Sequence, residues 1–312
     1  MRTDLSSLIK LGQVSQHYYH PKTEMELASL TRCEKISTTI DSSPEEGAAD
    51  AARCVAAEIE RCVRERGRCV IGLGAGRCAL DVYDELVKLY FADKVSFAHV
   101  VVFNISELWV GNGIALDSEQ STMRRLNERL LSKIDIAPDN VRTFSPKATD
   151  ENVYAVCRDY ETEIDEYGGL DIVVCEFTKS GSVAFNDPGS AISTNCRLIS
   201  LSNDARTRIA ESYQCDVAPL TAVTLGISNF LNARSMVCVA WGVDSAAAVR
   251  SAVEGPVTDQ VPASFLQMHS SAHLIVDIDA ASCLTRLNYP WRVAPCVWDK
   301  QLVRRAIVWL CM

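Results

Sequence analysis

The sequence predicts an α/β fold with a mostly parallel sheet covered on both faces by helices. Short apolar runs of strand length recur along the chain, and helical apolar patterns lie between them. No Pro-, Gly- or Ser-rich linker interrupts the alternation. Strands alternating with helices of roughly 10–15 residues make βαβ units. Strands buried on both faces read as near-continuous apolar runs. One domain over residues 1–312 is therefore expected, with 1–40 as an N-terminal arm and 285–312 as a C-terminal helical extension.

The elements follow in order. Residues 1–40 are mixed, and Tyr18, Tyr19, His20 and Pro21 suggest an irregular arm lying on the body. Ser42-Ser43-Pro44-Glu45-Glu46 starts a helix, with a serine cap, proline in the first turn and acids facing the dipole. Ala52, Val55, Ala56, Ile59 and Val63 continue it as an apolar stripe. The strand Cys69–Leu73 runs through Gly74-Ala75-Gly76 into a helix carrying Leu80, Val82, Tyr83, Leu86 and Val87. Val100–Phe103 is a strand, Ser121–Ile134 a helix, Asn152–Tyr167 a helix and Ile172–Val174 a strand. Val237–Trp241 is a strand before the helix Ala246–Val253, and His273–Val276 is a late strand. A last helical stretch, Asp299–Cys311, carries Leu302, Ala306, Ile307 and Leu310 as one stripe, with Arg304 and Arg305 off it.

Composition narrows the function class. With 48% hydrophobic and 23% charged residues, the 312-residue chain is ordinary globular protein. A net charge of −9 argues against a protein built to neutralise nucleic-acid phosphates. No apolar run reaches the ~18 residues of a membrane-spanning helix, and the N-terminus lacks a secretory h-region. A soluble, cytoplasmic protein with no nucleic-acid or membrane partner is expected. The 13 cysteines include no C-x-x-C pair, so neither a disulfide framework nor a zinc site is expected. Cys54, Cys62, Cys69, Cys175 and Cys238 fall in helical or strand patterns and read as buried small hydrophobes.

Ligands of open parallel sheets bind beyond the carboxyl ends of the strands. The segments to inspect are 72–78, 104–109, 176–188 and 241–245. The first is strand, glycine turn, helix, where backbone N–H groups and the dipole favour an anion and Arg77 adds a charge. A plain tight turn is the alternative. A dinucleotide reading is opposed by the G-x-G-x-G spacing of Gly72, Gly74 and Gly76. His269 and His273 read as structural, and Asp277 and Asp279 as solvated acids at a strand end.

Five segments carry a resemblance together: Val70–Gly76, Val95–Glu107, Val183–Gly189, Thr224–Ile227 and Val253–Val257. In this order they resemble the glucosamine-6-phosphate deaminase/isomerase family, which is related to the 6-phosphogluconolactonases, over about residues 45–280. The resemblance implies a Rossmann-like sheet sandwiched by helices, a site at the strand ends and a small sugar phosphate as ligand. It also implies a chemistry in which an amino-sugar phosphate ring opens, a proton moves between C2 and C1, and ammonia leaves. That work needs a carboxylate base and a ring-opening acid/base of suitable pKa. No cofactor or metal is implied.

The chain departs from the family's motifs at those positions. Where the family carries the aspartate of F-N-x-D-E-Y, this chain has Ser106. In the D-G-H-x-A-F-N-E-P motif, Ser180 replaces the aspartate, Ser182 the histidine and Asp187 the glutamate. Each positioned acid/base typically contributes ~10²–10⁴-fold in rate, so the family's reaction should be largely lost. Glu107, the neighbour of Ser106 along an extended segment, should point the other way. The family's phosphate-binding arginine matches Arg206, whereas its lysine falls at Ser245 and the threonine of its P-T-G loop at Ala75. Gly74, Gly76, Arg77 and Arg206 could still hold a phosphate; the alternative is a vestigial pocket with Arg206 in a surface ion pair.

Residues 287–312 and the Tyr18-Tyr19 arm resemble longer proteins that join a deaminase-like to a sugar-deacetylase-like domain, which implies a deacetylase-like partner domain. A homo-oligomer is also expected. Three function classes follow. The leading one is a non-catalytic sugar-phosphate-binding or regulatory relative. The others are an enzyme with a rearranged set such as Glu107, Asp187 and a mobile histidine, and an oligomerisation or docking module.

Overall fold

A computed structural model describes residues 6, 9, 15–114, 116 and 118–311 of the chain. In chain order it contains α1 (Glu24–Leu30), β1 (Ser37–Asp41), α2 (Pro44–Arg66), β2 (Cys69–Leu73), α3 (Arg77–Phe91) and β3 (Val100–Asn104). There follow β4 (Ser106–Val110), β5 (Gly113–Ile114), α4 (Thr122–Arg129), β6 (Val141–Arg142), α5 (Val153–Glu166) and β7 (Ile172–Glu176). Next come β8 (Arg197–Ser200), α6 (Asn203–Tyr213), β9 (Thr221–Thr224), α7 (Ile227–Leu231) and β10 (Ser235–Ala240). The chain ends through α8 (Ala246–Val253), β11 (Ala272–Asp277), α9 (Thr285–Asn288) and α10 (Lys300–Leu310).

Seven strands form one sheet in the order β1-β11-β10-β7-β2-β3-β6, every pair parallel. The alternation of side chains along each strand divides the apolar residues into two cores. Ile71, Leu73, Val100, Val102, Val174 and Val239 pack under α2 and α3. Val70, Val101, Phe103, Val173, Cys238 and Leu274 pack on the opposite face with α5, α7 and α8. The expected mostly parallel sheet between helical layers is what forms.

The chain leaves β2 toward β3 and β6, then crosses back to place β7 on the other side of β2. The carboxyl ends of β2 and β7 are thus the topological switch point, where a crevice opens in such sheets.

Helix α2 begins as its sequence predicts. Ser43 caps it by accepting the Glu46 N–H at 3.3 Å, Pro44 opens it, and Gly67 closes it at φ +76°. The segment read as an irregular arm is more ordered than expected. Thr23 and Glu26 cap α1 reciprocally, and Ser37–Asp41 pairs with β11 at the sheet edge. Tyr18 and Tyr19 are buried against the body. Residues 1–5, 7, 8 and 10–14 of that arm lie outside the described residues.

A second, antiparallel sheet of order β5-β4-β9-β8 was not expected from the sequence. Its strands are two to five residues long, and β4 starts on the polar pair Ser106-Glu107, which lacks the apolar pattern of a buried strand. The final helix also differs from expectation. Leu302, Ala306 and Arg305 face inward, while Ile307 and Leu310 are exposed beside Val303. Arg305 turns inward because its guanidinium donates to the carbonyls of Ile9 and Asn288.

Candidate functional site

A cleft of about 470 Å³ opens at the switch point. Gly74, Ala75, Gly76 and Arg77 line it from the glycine turn, Ser106 from β4, and Ser245 from the loop after β10. Six of the residues expected at the site are therefore brought together. Thr178 and Lys179 follow β7 into the same cleft.

Helix α6 supplies a further wall through Ala205, Arg208, Ile209 and Ser212. These recur at helical spacing, so they share one face. Arg206, expected to hold the anion, lies about 200° around the helix from Arg208 and does not line the cleft. Arg208 lines the cleft instead, and which of two arginines two residues apart does so depends on the phase of α6. Its guanidinium donates to Ser180 Oγ at 3.1 Å, pairs with Asp204 and lies 3.9 Å from Asp187. Arg125, from α4, lies over the Tyr213 ring at 4.2 Å and donates to Ser212 Oγ at 2.9 Å.

Ser180, Ser182 and Asp187 do not line the cleft. They form a chain one hydrogen bond behind it, from Thr178 Oγ1 to Ser180 Oγ at 3.0 Å and on to Ser182 Oγ at 2.9 Å. Ser182 then donates to Asp187 Oδ1 at 2.7 Å. Ser182 is fully buried. The turn that places it needs Gly181, whose φ is +76° and whose α-carbon faces Val261 so closely that a Cβ would lie 2.7 Å from it. Among the described residues no histidine lines this cleft.

Glu107 points away from Ser106, as alternation along β4 requires. Its carboxylate is 0% exposed and faces the start of α4. It accepts the N–H groups of Leu108 at 2.9 Å, Thr122 at 2.7 Å and Met123 at 2.9 Å, and the Ser121 hydroxyl at 3.1 Å. Burial pushes its pKa up, and the backbone donors oppose that shift. The group serves as an internal cap for α4.

Sequence reasoning passed over Glu176, which lines the cleft at the end of β7. Its Oε2 accepts the Cys78 N–H in the first turn of α3 at 2.7 Å. Burial raises its pKa, whereas the Cys78 donors and the charges of Arg208 and Arg125 lower it. The available signal was its place as the first polar residue after an apolar strand.

The remaining candidates are structural. His269 bonds the Ala233 carbonyl at 2.8 Å, and His273 bonds Thr39 Oγ1 at 3.0 Å across to β1. Asp277 is buried rather than solvated, because it accepts the N–H groups of Gly242 and Ala280, both at 2.9 Å. Cys62, Cys69 and Asp171 gather their ligand atoms within 4.8 Å. Asp171 is already held by Arg66 at 2.7 Å and Arg234 at 2.8 Å, two cations that would repel a metal ion. All 13 cysteines are unpaired thiols; Cys62, Cys69, Cys175 and Cys238 are buried as expected, and Cys54 is half-buried.

The family described as glucosamine-6-phosphate isomerases/6-phosphogluconolactonase matches residues 42–275. A glucosamine-6-phosphate deaminase-like protein of Bacteroides thetaiotaomicron is 39% identical over the whole chain. The chain spans only 47% of that relative's length. The glucosamine-6-phosphate deaminase of Clostridium perfringens is 31% identical, over 74% of this chain and 94% of that enzyme. Among solved structures, a monomeric glucosamine-6-phosphate deaminase superposes with a TM-score of 0.73 at 28% identity, covering 80% of this chain and all of the other. The 6-phosphogluconolactonase of Trypanosoma brucei shares the fold, with a TM-score of 0.66 at 19% identity over 80% of this chain and 99% of the other. In sequence and in fold, the chain belongs to the glucosamine-6-phosphate isomerase/6-phosphogluconolactonase family.

Proposed function

We propose that this chain is a non-catalytic sugar-phosphate-binding or regulatory member of its family. The observation that carries the reading is the pair Ser106 and Ser182 at the two proton-transfer positions, with no histidine among the described residues of the cleft. A serine hydroxyl unaided is far too weak a base near neutral pH, and it cannot shuttle a proton as imidazole does. Ser182 is also sealed from solvent. Glu107 and Asp187, the carboxylates a rearranged enzyme would use, are engaged in capping α4 and in the serine chain.

Binding is supported by what remains. The cleft volume suits a small ligand. Arg77, Arg125, Lys179 and Arg208 bring four positive charges to it, against Glu176, Glu211 and Asp244. Such a balance favours a small anion. The same proposal carries the expected homo-oligomer, tested by light scattering, and a deacetylase-like partner domain. The second has for support the length of the Bacteroides relative, which is about twice that of this chain.

Proton NMR of glucosamine 6-phosphate in D₂O, with the protein near substrate concentration, tests the reading. Broadened sugar resonances with the C2 proton intact are expected. Exchange of the C2 proton, or formation of fructose 6-phosphate, would establish an enzyme and overturn it.

A further inference from the structure

The glycine turn after β2 already holds a carboxyl group, and that group is part of the chain. Gly76 is the N-cap of α3 and offers no side chain to the free N–H groups of the first turn. Glu176 reaches over from the neighbouring strand and accepts the Cys78 N–H at 2.7 Å. Gly76 has φ −68°, a conformation open to every residue, so backbone freedom does not explain a glycine there. Space does. A Cβ on Gly76 would lie 2.2 Å from the Glu176 carboxyl carbon and 2.4 Å from its Oε1, so any larger residue would push the carboxylate off the turn.

The same carboxylate shares the cleft with the charged side chains of Arg208 and Arg125. These side chains and the helix N-terminus are the groups that would recognise a phosphate. A phosphate and the Glu176 carboxyl group compete there, because the Cys78 N–H that a phosphate would take is already given to Glu176.

We propose that Glu176 is the specificity-determining residue of the cleft: its carboxylate occupies the anion position at the start of α3, and a phosphorylated ligand binds there only by displacing it. The inference rests on the reading that the cleft takes a small sugar phosphate. It adds that this chain discriminates against the phosphate group through one side chain. A ligand's hydroxyl or amino groups are not penalised in this way, since they can donate to a carboxylate.

The test is calorimetric titration of the full chain with inorganic phosphate, glucosamine 6-phosphate and unphosphorylated glucosamine. Wild type is compared with Glu176→Gln and Glu176→Ala. Glutamine keeps an acceptor for the Cys78 N–H, so that variant holds the fold, and thermal melting verifies it. Both variants are expected to bind the two phosphates at least ~10-fold more tightly than wild type, with no gain for glucosamine. Unchanged or weaker phosphate binding in folded Glu176→Gln and Glu176→Ala overturns the inference. An equal gain for glucosamine also overturns it, because the effect would then be steric. The two readings separate cleanly. If wild type binds glucosamine 6-phosphate and the variants bind it no better, the sugar-phosphate reading stands and the role of Glu176 falls. If wild type is silent and Glu176→Ala takes up inorganic phosphate, the role of Glu176 stands and the sugar-phosphate reading of the native chain falls.

Discussion

Ser182 donates its hydroxyl to Asp187 at 2.7 Å, while Ser202, the N-cap of α6, donates to the other Asp187 oxygen at 2.6 Å. The carboxylate therefore ties the loop after β7 to the start of α6. A serine–carboxylate pair serves as a nucleophile only beside a base poised near the working pH, and only where substrate can reach it. Ser182 is buried, so this pair is a structural tie. Asp187→Ala should leave a buried donor unsatisfied and lower stability by about 1–3 kcal/mol. Affinity for glucosamine 6-phosphate should stay within about threefold, since Asp187 does not line the cleft. Thermal melts and a titration check both. An unchanged melting temperature with binding abolished would return Asp187 to the site.

Glu107 supplies a second case in which a carboxylate next to a site residue has an architectural role. Glu107→Ala removes the acceptor for two N–H groups of α4 and for the Ser121 hydroxyl. The expected cost is about 2–4 kcal/mol, read by chemical denaturation. Glu107→Gln keeps one oxygen and should cost less. A Glu107→Gln protein of wild-type stability that had lost a measurable turnover would contradict the capping role.

The parallel sheet was legible because runs such as Cys69–Leu73 and Val100–Phe103 are apolar without interruption, as burial on both faces demands. The antiparallel sheet was not, since β8 is half-exposed and β4 opens on Ser106-Glu107. Burial of those two polar residues reflects a cleft and a helix start contributed by distant segments, and local pattern carries neither. The cleft was legible where it follows strand ends, at Gly74 to Arg77, Ser106 and Ser245. The choice between Arg206 and Arg208 depends on the phase of α6, and the part played by Glu176 on the pairing of β7 with β2. Both are three-dimensional facts.

That helical phase is itself testable. Arg208 faces the cleft with Ala205 and Ser212, and Arg206 does not. Losing a charge-assisted contact to a phosphate costs about 1.5–3 kcal/mol, so Arg208→Ala should weaken glucosamine 6-phosphate binding by ~10–100-fold. Arg206→Ala should change it by less than about twofold, the usual size of a distant surface effect. Equal losses in both variants, or a larger one for Arg206→Ala, would show that α6 presents its other face. Lysine at 208 should recover only part of the affinity, since it lacks the planar donor fork.

Far from the cleft, Glu34 makes stability depend on pH. Its carboxylate lies 2.9 Å from Arg286, with both side chains almost fully buried. Burial outweighs the attraction of Arg286 and, helped by nearby Glu254, pushes the Glu34 pKa up to about 7. A carboxyl whose folded pKa is raised binds more protons folded than unfolded, so stability falls as pH rises between the two values. The contribution is complete below about pH 4.5 and is lost on passing pH 7, a change on the order of 3 kcal/mol. Glu34→Gln holds the uncharged form at every pH, so its unfolding free energy should lose that part of the slope between pH 5 and 8. Denaturation at four or five pH values, wild type against variant, reads the difference directly. Parallel curves would mean that Glu34 stays ionised in its pair with Arg286 throughout, and that the pair's attraction exceeds the cost of burying it.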